Sequence, residues 1–321
     1  MIRKESADRS MQVDSEGERK DRKEKAPFKS GFVAIVGAPN VGKSTLLNSL
    51  LGEKVAITTP KPQTTRTQIR GILTGENFQI VFIDTPGVHE SPRLLNRVLV
   101  EQAEKALEDV DVILFLVDVT KRSRKNEFAV LDLIKRVKRP VILVLNKIDK
   151  VAKENLLPMI EELQQMYPFE AIIPVSAKYG DGVDLLLNEI LKHIHEGPQY
   201  YDSETITDQR PEHMIEELIR EKIFLLAEQE IPYSTTVQVE EMKDDPQKGT
   251  MLIRAVIYVE RPSQKAIIIG KKGKFIKKVG TLARMELERI FGRKIFLDLW
   301  VKVLKNWSKD EKALRRLGLT Y

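Results

Sequence analysis

Residues 32–45 read FVAIVGAPNVGKST and decide the fold of the N-terminal half of the chain. The run from Phe32 to Val36 is short, apolar and β-branched, which predicts a buried strand, and the apolar residues after Thr45 predict a helix. Between them, two glycines at fixed spacing are followed by Lys43 and Ser44. This is the phosphate-binding loop pattern in the strand–loop–helix context that it requires.

The chemistry of this loop follows from its residue types. Glycines let backbone N–H groups converge on phosphate oxygens, and the helix N-terminus adds its dipole. Lys43 places a charge at the outer phosphates, and Ser44 offers a hydroxyl to Mg²⁺. The alternative, a chance glycine turn, does not explain the flanking strand and helix. We therefore predict nucleotide contacts from Gly37, Ala38, Pro39, Asn40, Val41, Gly42, Lys43, Ser44 and Thr45.

Length and composition restrict the class of protein. The 321 residues suggest two domains, and 42% apolar residues suffice for ordinary cores. The sequence has no cysteine, which excludes disulfides and zinc-thiolate sites. No apolar run has the roughly 18 residues of a membrane span, and no secretory signal is recognisable. We expect a cytoplasmic protein.

The charge is unevenly distributed. Residues 261–310 hold 14 Lys/Arg and 4 Asp/Glu, although the whole chain has a net charge of only +6. The rest of the chain is therefore net negative. Such asymmetry indicates a polyanionic partner for this one segment.

Five segments follow from composition and periodicity. Residues 1–28 are highly charged and predict a disordered tail. Residues 31–197 alternate strand and helix patterns, which predicts a doubly wound, mostly parallel α/β domain. A polar linker (198–211) follows it. We then predict an α+β domain over residues 212–307 and a helical tail over 308–321.

The predicted elements are as follows. Strands of the first domain are Phe32–Val36, Gln79–Ile83, Val112–Val117, Val141–Leu145 and Ala171–Val175. The second domain is expected to have helices near 212–228 and 274–290, with a short helix before the second, and strands near 234–242, 251–260 and 295–304.

Asp84-Thr85-Pro86-Gly87 follows the second predicted strand, at an end where ligands bind in α/β sheets. Asp84 is a candidate magnesium carboxylate, and the N–H of Gly87 can meet a γ-phosphate. Taken alone, the segment is also compatible with an ordinary Pro-Gly turn. Its position after a phosphate loop favours nucleotide contacts from Asp84, Thr85, Pro86, Gly87 and Val88.

Two further strand ends carry candidates for base recognition. In Asn146-Lys147-Ile148-Asp149, the carboxylate can accept hydrogen bonds from N1–H and the 2-amino group of guanine, a pattern that adenine lacks. Asn146 can bridge loops, and the Lys147 stem can cover the ring. The backbone of Ser176-Ala177-Lys178 can hold the guanine O6, although this motif is weak by itself.

The polar segment 57–66 lies between the predicted phosphate-loop helix and the next strand. A hydroxyl from this segment can complete magnesium coordination when a γ-phosphate is present, and so order the loop. We select Thr65, with Thr64 as the alternative. The predicted metal ligands are thus Ser44, Thr65 and Asp84, and the predicted catalytic residues are Lys43, Thr65 and Gly87.

Five short motifs together resemble those of a translation-factor-type GTPase, namely Gly37–Ser44, Gln63–Arg66, Asp84–Gly87, Asn146–Asp149 and Ser176–Lys178. Among them, Gln63–Arg66 resembles the branch containing the Era and tRNA-modification GTPases. The resemblance implies GTP and GDP as ligands with Mg²⁺. Val88 stands where Ras-like GTPases have a glutamine that orients water, so hydrolysis must depend on positioning and charge neutralisation. In relatives with an asparagine at the position of Asn40, this residue can hold K⁺, which gives K⁺ activation as a hypothesis.

The second strong signal is a Gly-x-x-Gly turn with two lysines at Gly270–Gly273, followed by a basic helix. It resembles the RNA-binding loop of a type II KH domain, in which glycines admit a nucleic-acid backbone and lysines meet phosphates. The alternatives are an ordinary helix-ending turn and a solvated lysine face. Predicted RNA contacts are Ile269, Gly270, Lys271, Lys272, Gly273, Lys274, Lys277 and Lys278.

A GTPase domain followed by a type II KH domain resembles the Era family over about residues 31–321. This implies binding near the 3′ end of 16S ribosomal RNA, a role in 30S subunit assembly and peripheral association with the inner membrane. We expect a monomer. Two rivals remain open at this point: a non-enzymatic RNA-binding scaffold, which Val88 permits, and a tRNA-modification GTPase, for which no extra cofactor-binding segment is visible.

Overall fold

A six-stranded sheet and a three-stranded sheet form the two halves of the chain in a computed structural model. The structure describes residues 27–61, 64–87, 94–245 and 249–319. Nearly all of the predicted tail, and with it the prediction of disorder there, lies outside these ranges.

The first half contains six strands and five α-helices among the described residues. The strands are β1 (Lys29–Gly37), β2 (Ile69–Thr74), β3 (Phe78–Asp84), β4 (Val112–Asp118), β5 (Val141–Asn146) and β6 (Ala171–Val175). The helices are α1 (Lys43–Leu51), α2 (Leu94–Glu108), α3 (Arg124–Ile134), α4 (Leu156–Gln164) and α5 (Val183–His193).

The sheet has the order β2-β3-β1-β4-β5-β6, and all pairings are parallel except that of β2 with β3. Helices cover both faces, so strands such as β4 are buried along their whole length and are apolar throughout. The predicted mostly parallel, doubly wound fold is confirmed. Its carboxyl strand ends at β1, β3, β5 and β6 share one edge.

Strand β2 was absent from the strands predicted from sequence. Arg70 is exposed and Gly71 interrupts the apolar pattern, so the segment lacks the continuous apolar run of its neighbours. It lies at the edge of the sheet, antiparallel to β3. The linker runs along the outer side of β2, where the Ile72 N–H donates to the Ile206 carbonyl over 2.7 Å. Pairing, rather than composition, makes this segment a strand.

The second half has the order helix, two strands, two helices, strand, followed by a short C-terminal helix. Its elements are α6 (Pro211–Leu226), β7 (Thr235–Asp245), β8 (Thr250–Val259), α7 (Pro262–Ile269), α8 (Lys274–Phe291), β9 (Lys294–Val303) and α9 (Glu311–Arg316). β7 and β8 are antiparallel, whereas β8 and β9 are parallel. This order and this mixed sheet confirm the type II KH topology expected from the sequence.

The C-terminal tail ties the two halves together. Trp307 is fully buried and shares an apolar cluster with Leu314 of α9 and Leu95 of α2. The Gln102 side-chain amide of α2 donates to the Leu319 carbonyl over 3.1 Å. None of the helices described is both long and apolar enough to cross a membrane.

Candidate functional site

The phosphate-binding loop joins β1 to α1 and encloses its lysine. Lys43 is only 6% exposed, and its Nζ donates to the carbonyls of Gly37 (3.2 Å) and Ala38 (3.1 Å). The helix begins at Lys43, so the first free N–H groups of α1 face the same loop. The loop therefore offers backbone donors and one ammonium group to an anion.

Three side chains predicted to bind magnesium meet beside this loop. The Ser44 hydroxyl donates to Asp84 Oδ2 over 2.6 Å, and its oxygen lies 2.9 Å from Thr65 Oγ1. Thr64, the alternative, instead contacts the Thr59 hydroxyl at 2.6 Å and donates to the Lys61 carbonyl. The geometry brings Thr65, rather than Thr64, to Ser44 and Asp84.

Burial governs the protonation of the two charged groups. Desolvation raises the pKa of Asp84 to about 6, although Lys43 and the Ser44 hydroxyl oppose the shift. Desolvation likewise lowers the pKa of Lys43 to about 8, against the attraction of Asp84. Near pH 7 the site thus holds one carboxylate and one ammonium group, and a bound cation would favour the charged carboxylate further.

The residues fit a magnesium ion. Within the described part of the chain, the buried Asp84 Oδ1 has no hydrogen-bond partner. It lies on the carboxylate whose other oxygen receives the Ser44 hydroxyl. Hydroxyl and carboxylate oxygens are ligands that Mg²⁺ accepts, usually together with phosphate oxygens and water. The described residues contain no cluster of three or more His, Cys, Asp or Glu that could hold a metal ion.

Gly87 packs directly on the phosphate-binding loop. A Cβ at this position would lie 2.8 Å from Pro39 Cα and 2.9 Å from Pro39 N, so only glycine permits this approach. The end of β3 and the loop after β1 are thereby held together. The predicted neighbours Thr85 and Pro86 lie in the same segment, and Thr85 is buried with its hydroxyl donating to the Ile35 carbonyl over 2.8 Å. Val88 and Gln63 lie outside the described residues.

The residues predicted to recognise a base lie together at the ends of β5 and β6. Asn146 donates from Nδ2 to the Val41 carbonyl (2.8 Å) and accepts the Ala177 N–H at Oδ1 (3.0 Å). The Ser176 hydroxyl donates to Asp149 Oδ1 over 2.7 Å, while Asp149 itself is exposed. Asn146 therefore joins three loops, and the amide of Ala177 serves that junction.

The sequence motifs did not identify Asp118, which is a hydrogen-bond partner of Lys147. Lys147 Nζ donates to Asp118 Oδ2 over 2.5 Å and to the Asn40 carbonyl over 2.8 Å. Burial raises the pKa of the Asp118 carboxyl, but hydrogen bonds from Lys147 and Thr120 outweigh this effect and lower it. Asp118 ends β4 at the same sheet edge, so the strand-end rule that selected Asp84 would have found it.

A continuous depression connects the two sets of residues. The phosphate and magnesium side and the base side share Gly42, Thr45 and Lys147 as lining residues. Thr58, Thr59 and Pro60 of the loop after α1 close the opposite wall along both parts. Lys178 lines the base side and lies over the Tyr179 ring at 4.7 Å. The depression thus extends from Ser44 to Asp149.

The Gly-x-x-Gly turn lies between α7 and α8. Gly270 and Gly273 both have φ of 73°. Ile269 is half-buried before the turn. The lysines predicted to contact RNA are exposed, namely Lys271, Lys272, Lys274, Lys277 and Lys278.

This exposure bears on the two alternatives for the turn. A turn that only ends a helix needs no lysine, and α7 does end here with the Gly270 N–H on the Ala266 carbonyl. The apolar residues around the turn divide between core and surface, since Ile268 and Val279 are fully buried whereas Ile267 is 49% exposed. An open, basic turn beside an exposed apolar side chain suits a single-stranded nucleic acid.

Comparison with known families gives two matches along the chain. Residues 32–147 match the family model described as 50S ribosome-binding GTPase. Residues 230–308 match the model of the KH domain. The first match contains the phosphate-binding loop and ends at Lys147, and the second contains the Gly-x-x-Gly turn.

Whole-chain relatives share both parts in the same order. A protein named GTPase Era from Halothermothrix orenii is 47% identical over 291 residues, covering 91% of this chain and 98% of the relative. A GTPase Era from Geobacter metallireducens is 47% identical over 294 residues, covering 92% and 99%.

Two solved structures are similar along nearly the whole chain. A crystal structure of Era in complex with MgGDPNP and nucleotides 1506–1542 of 16S ribosomal RNA is 42% identical, covers 92% of this chain and 100% of that one, and has a TM-score of 0.89. A substituted Aquifex aeolicus Era bound to GDP.AlF4⁻ is also 42% identical with the same coverage, and has a TM-score of 0.88.

Proposed function

The chain belongs to the Era family of GTPases, and from this premise we propose that it is a GTP-driven switch acting on ribosomal RNA. It hydrolyses GTP to GDP and phosphate in the first domain. Its KH domain binds the 3′ region of 16S ribosomal RNA, and the protein acts in assembly of the 30S subunit. The rivals, a non-enzymatic scaffold and a tRNA-modification GTPase, have no counterpart among these relatives.

One observation carries the proposal. The hydroxyl and carboxylate groups of Ser44, Thr65 and Asp84 meet at one end of a depression whose other end holds Asp149. A guanosine triphosphate has its magnesium-binding phosphates and its base at opposite ends. The depression matches this order of chemical groups.

The roles of the residues follow from their positions. Lys43 and the N-terminus of α1 neutralise the charge of the phosphates. Ser44 and Thr65 would hold magnesium directly, with Asp84 through water or directly, and the ion supplies charge stabilisation for the transferred phosphoryl group. The Gly87 N–H would donate a hydrogen bond to the γ-phosphate. Asp149, oriented by Ser176, accepts the donors of guanine.

The Asp149→Asn substitution tests the base assignment. An amide presents a donor where guanine needs an acceptor, so GTP affinity should fall by roughly a hundredfold or more while xanthosine triphosphate binding improves. Calorimetric titration with both nucleotides measures this. Asp184→Asn, which changes an exposed carboxylate on α5, is the matched control. Unchanged GTP affinity in Asp149→Asn would refute the base assignment.

GTP binding is proposed to order the segments around Thr65 and Gly87 and so to alter the interface with the KH domain. A nucleotide shifts this equilibrium only if the two states bind RNA unequally. We therefore expect different affinities of the GDP and GDPNP complexes for a 16S 3′-terminal oligonucleotide. Equal affinities would exclude the switch.

K⁺ activation is proposed for Asn40, which is exposed at the loop with φ of 64°. The Asn40 side chain donates to the Pro60 carbonyl over 3.0 Å, so it is already turned towards the loop that covers the phosphates. Turnover should be faster in K⁺ than in Na⁺. Equal turnover in the two salts would remove the proposal.

The remaining proposals concern boundaries and environment. We place the domain limits at 31–197 and 212–307, with 198–211 as linker and 308–321 as a helical tail. They are supported by the bridge of Glu196 to β1 and by the start of α6 at Pro211.

We further propose a cytoplasmic monomer with peripheral inner-membrane association, supported by the family resemblance. Sedimentation and cell fractionation test these points.

A further inference from the structure

Both neighbours of Thr65 are held by the second half of the chain. The Arg220 guanidinium of α6 donates to the Thr64 carbonyl. On the other side, Arg66 donates to the Thr235 carbonyl over 2.8 Å and to the carbonyls of Pro232 and Tyr233 over 3.2 Å each. Thr65 lies between these two attachments.

Arg66 is buried against the second half of the chain. Its side chain is 1% exposed, and its guanidinium carbon lies 5.8 Å from the Phe224 ring and 5.6 Å from the Trp307 ring. Arg220 contacts the same Phe224 ring at 5.1 Å and donates to Glu217 from Nε over 2.8 Å. Carbonyls, aromatic faces and one carboxylate thus contact two buried cations. The compensation is incomplete, because Arg66 Nε and Arg220 Nη1 have no hydrogen-bond partner among the described residues.

The segment that carries Thr65 has no regular secondary structure in its described part. The described residues of segment 57–66 form neither helix nor strand. Lys61 adds a third attachment, because its Nζ donates to the Phe224 carbonyl over 2.5 Å and also to the Ala227 carbonyl at the C-terminal end of α6. A cation at a helix C-terminus is favoured by the helix dipole. α6 and the start of β7 therefore add attachments on both sides of Thr65 to the hydrogen bonds that Thr64 makes within the loop.

We infer that the KH domain positions Thr65 for magnesium, with Arg66 and Arg220 as the positioning residues. Neither arginine touches the nucleotide position, and both act through the backbone that carries the threonine. Groups that orient a metal ligand typically change metal affinity by roughly 10–100-fold when removed. By linkage, any partner that loosens these attachments lowers magnesium–GTP affinity, and bound magnesium–GTP strengthens the attachments. The inference rests on the proposed role of Thr65.

The test compares full-length Arg66→Gln and Arg220→Gln with the wild-type chain. Calorimetry measures the affinity for GDPNP and for GDP, each with and without Mg²⁺. The gain in GDPNP affinity on adding Mg²⁺ should fall by roughly 10–100-fold in each variant, while metal-free GDP affinity stays at the wild-type value. Unchanged GDP binding also reports that the nucleotide domain is folded.

Lys54→Gln is the matched control. Lys54 forms ion pairs with Glu221 of α6 (2.9 Å) and Glu286 of α8 (2.6 Å), so its loss weakens the same interface without removing either attachment that flanks Thr65. It should keep the wild-type gain. An equal loss in Lys54→Gln would indicate general loosening of the interface and would overturn the inference.

Thr65→Ala separates this inference from the function on which it rests. If Thr65→Ala keeps the full Mg²⁺-dependent gain, the assigned role of Thr65 is wrong. If Thr65→Ala loses the gain but both arginine variants keep it, only the positioning inference is wrong. The double variant Thr65→Ala/Arg66→Gln should lose no more than Thr65→Ala alone, because the arginine acts through the threonine. An additive loss would contradict this.

Discussion

Two glycine-rich turns in this chain use the same components in opposite ways. Each contains lysine and leads into a helix, α1 after Gly42 and α8 after Gly273. In the first turn Lys43 is 6% exposed and its pKa is lowered to about 8 by burial. In the second, Lys271 and Lys272 are exposed.

The difference indicates that burial, in addition to motif composition, separates the kinds of ligand that the two turns suit. A buried ammonium group facing convergent N–H groups matches a short polyphosphate that enters a closed loop. Exposed lysines on an open turn suit a polymer whose backbone passes by, with affinity that depends on salt. We therefore expect a single lysine to contribute more to ligand binding in the first turn than in the second.

Lys43→Ala would break the comparison on its closed side and has the largest expected effect. Removing a buried, preorganised charge from the phosphate site should lower kcat for GTP by roughly a hundredfold to a thousandfold. Phosphate release under saturating GTP measures it. Lys121→Ala, an exposed lysine of the same domain, should have wild-type activity. A loss below tenfold would show that Lys43 is not the principal cation of the site.

Lys271→Ala/Lys272→Ala would test the open side, with a smaller effect. Each lysine that meets a phosphate of a single strand contributes about 0.7 to the slope of log affinity against log salt. The double variant should weaken binding of a 16S 3′-terminal oligonucleotide and reduce the slope by about 1.4. Fluorescence anisotropy over a salt series measures both. Lys135→Ala/Lys138→Ala, exposed in the first domain, should leave the slope unchanged, and an equal reduction there would argue against a local contact.

The two glycines of the open turn allow the smallest and sharpest comparison. Gly273 has φ 73° and ψ 12°, and a Cβ there would meet no atom within 4 Å. Gly270 has φ 73° and ψ 170°, and a Cβ would lie 2.7 Å from Phe275 Cβ. Gly273→Ala should cost about 1 kcal/mol, and Gly270→Ala more, up to about 3 kcal/mol. Urea unfolding measures the loss of unfolding free energy in both variants. Equal losses would show that the backbone of the turn shifts to make room for the added methyl group at position 270.

The local motifs were readable from the sequence because each combines residue types with strand-end positions. Asp84 and Asn146 end buried apolar strands, and parallel strands bring such ends to one edge. β2 was not predicted, since an edge strand with Arg70 and Gly71 lacks the apolar run of the buried strands. Asp118 also ends a buried apolar strand, β4, but it belongs to none of the five nucleotide-binding motifs.

The sequence by itself determined the two folds, the order of the nucleotide-binding segments and the basic turn, because these depend on short-range patterns of glycine, charge and apolar residues. The sequence favoured Thr65 over Thr64, but only the tertiary structure placed Thr65 beside Ser44 and decided which residues hold it there. Arg66 and Thr235 are far apart along the chain, yet the Arg66 guanidinium donates a hydrogen bond to the Thr235 carbonyl over 2.8 Å. Contacts of this kind arise from the packing of α6 and β7 against a loop that has no regular structure of its own, and packing between distant segments leaves no periodic signal in the sequence.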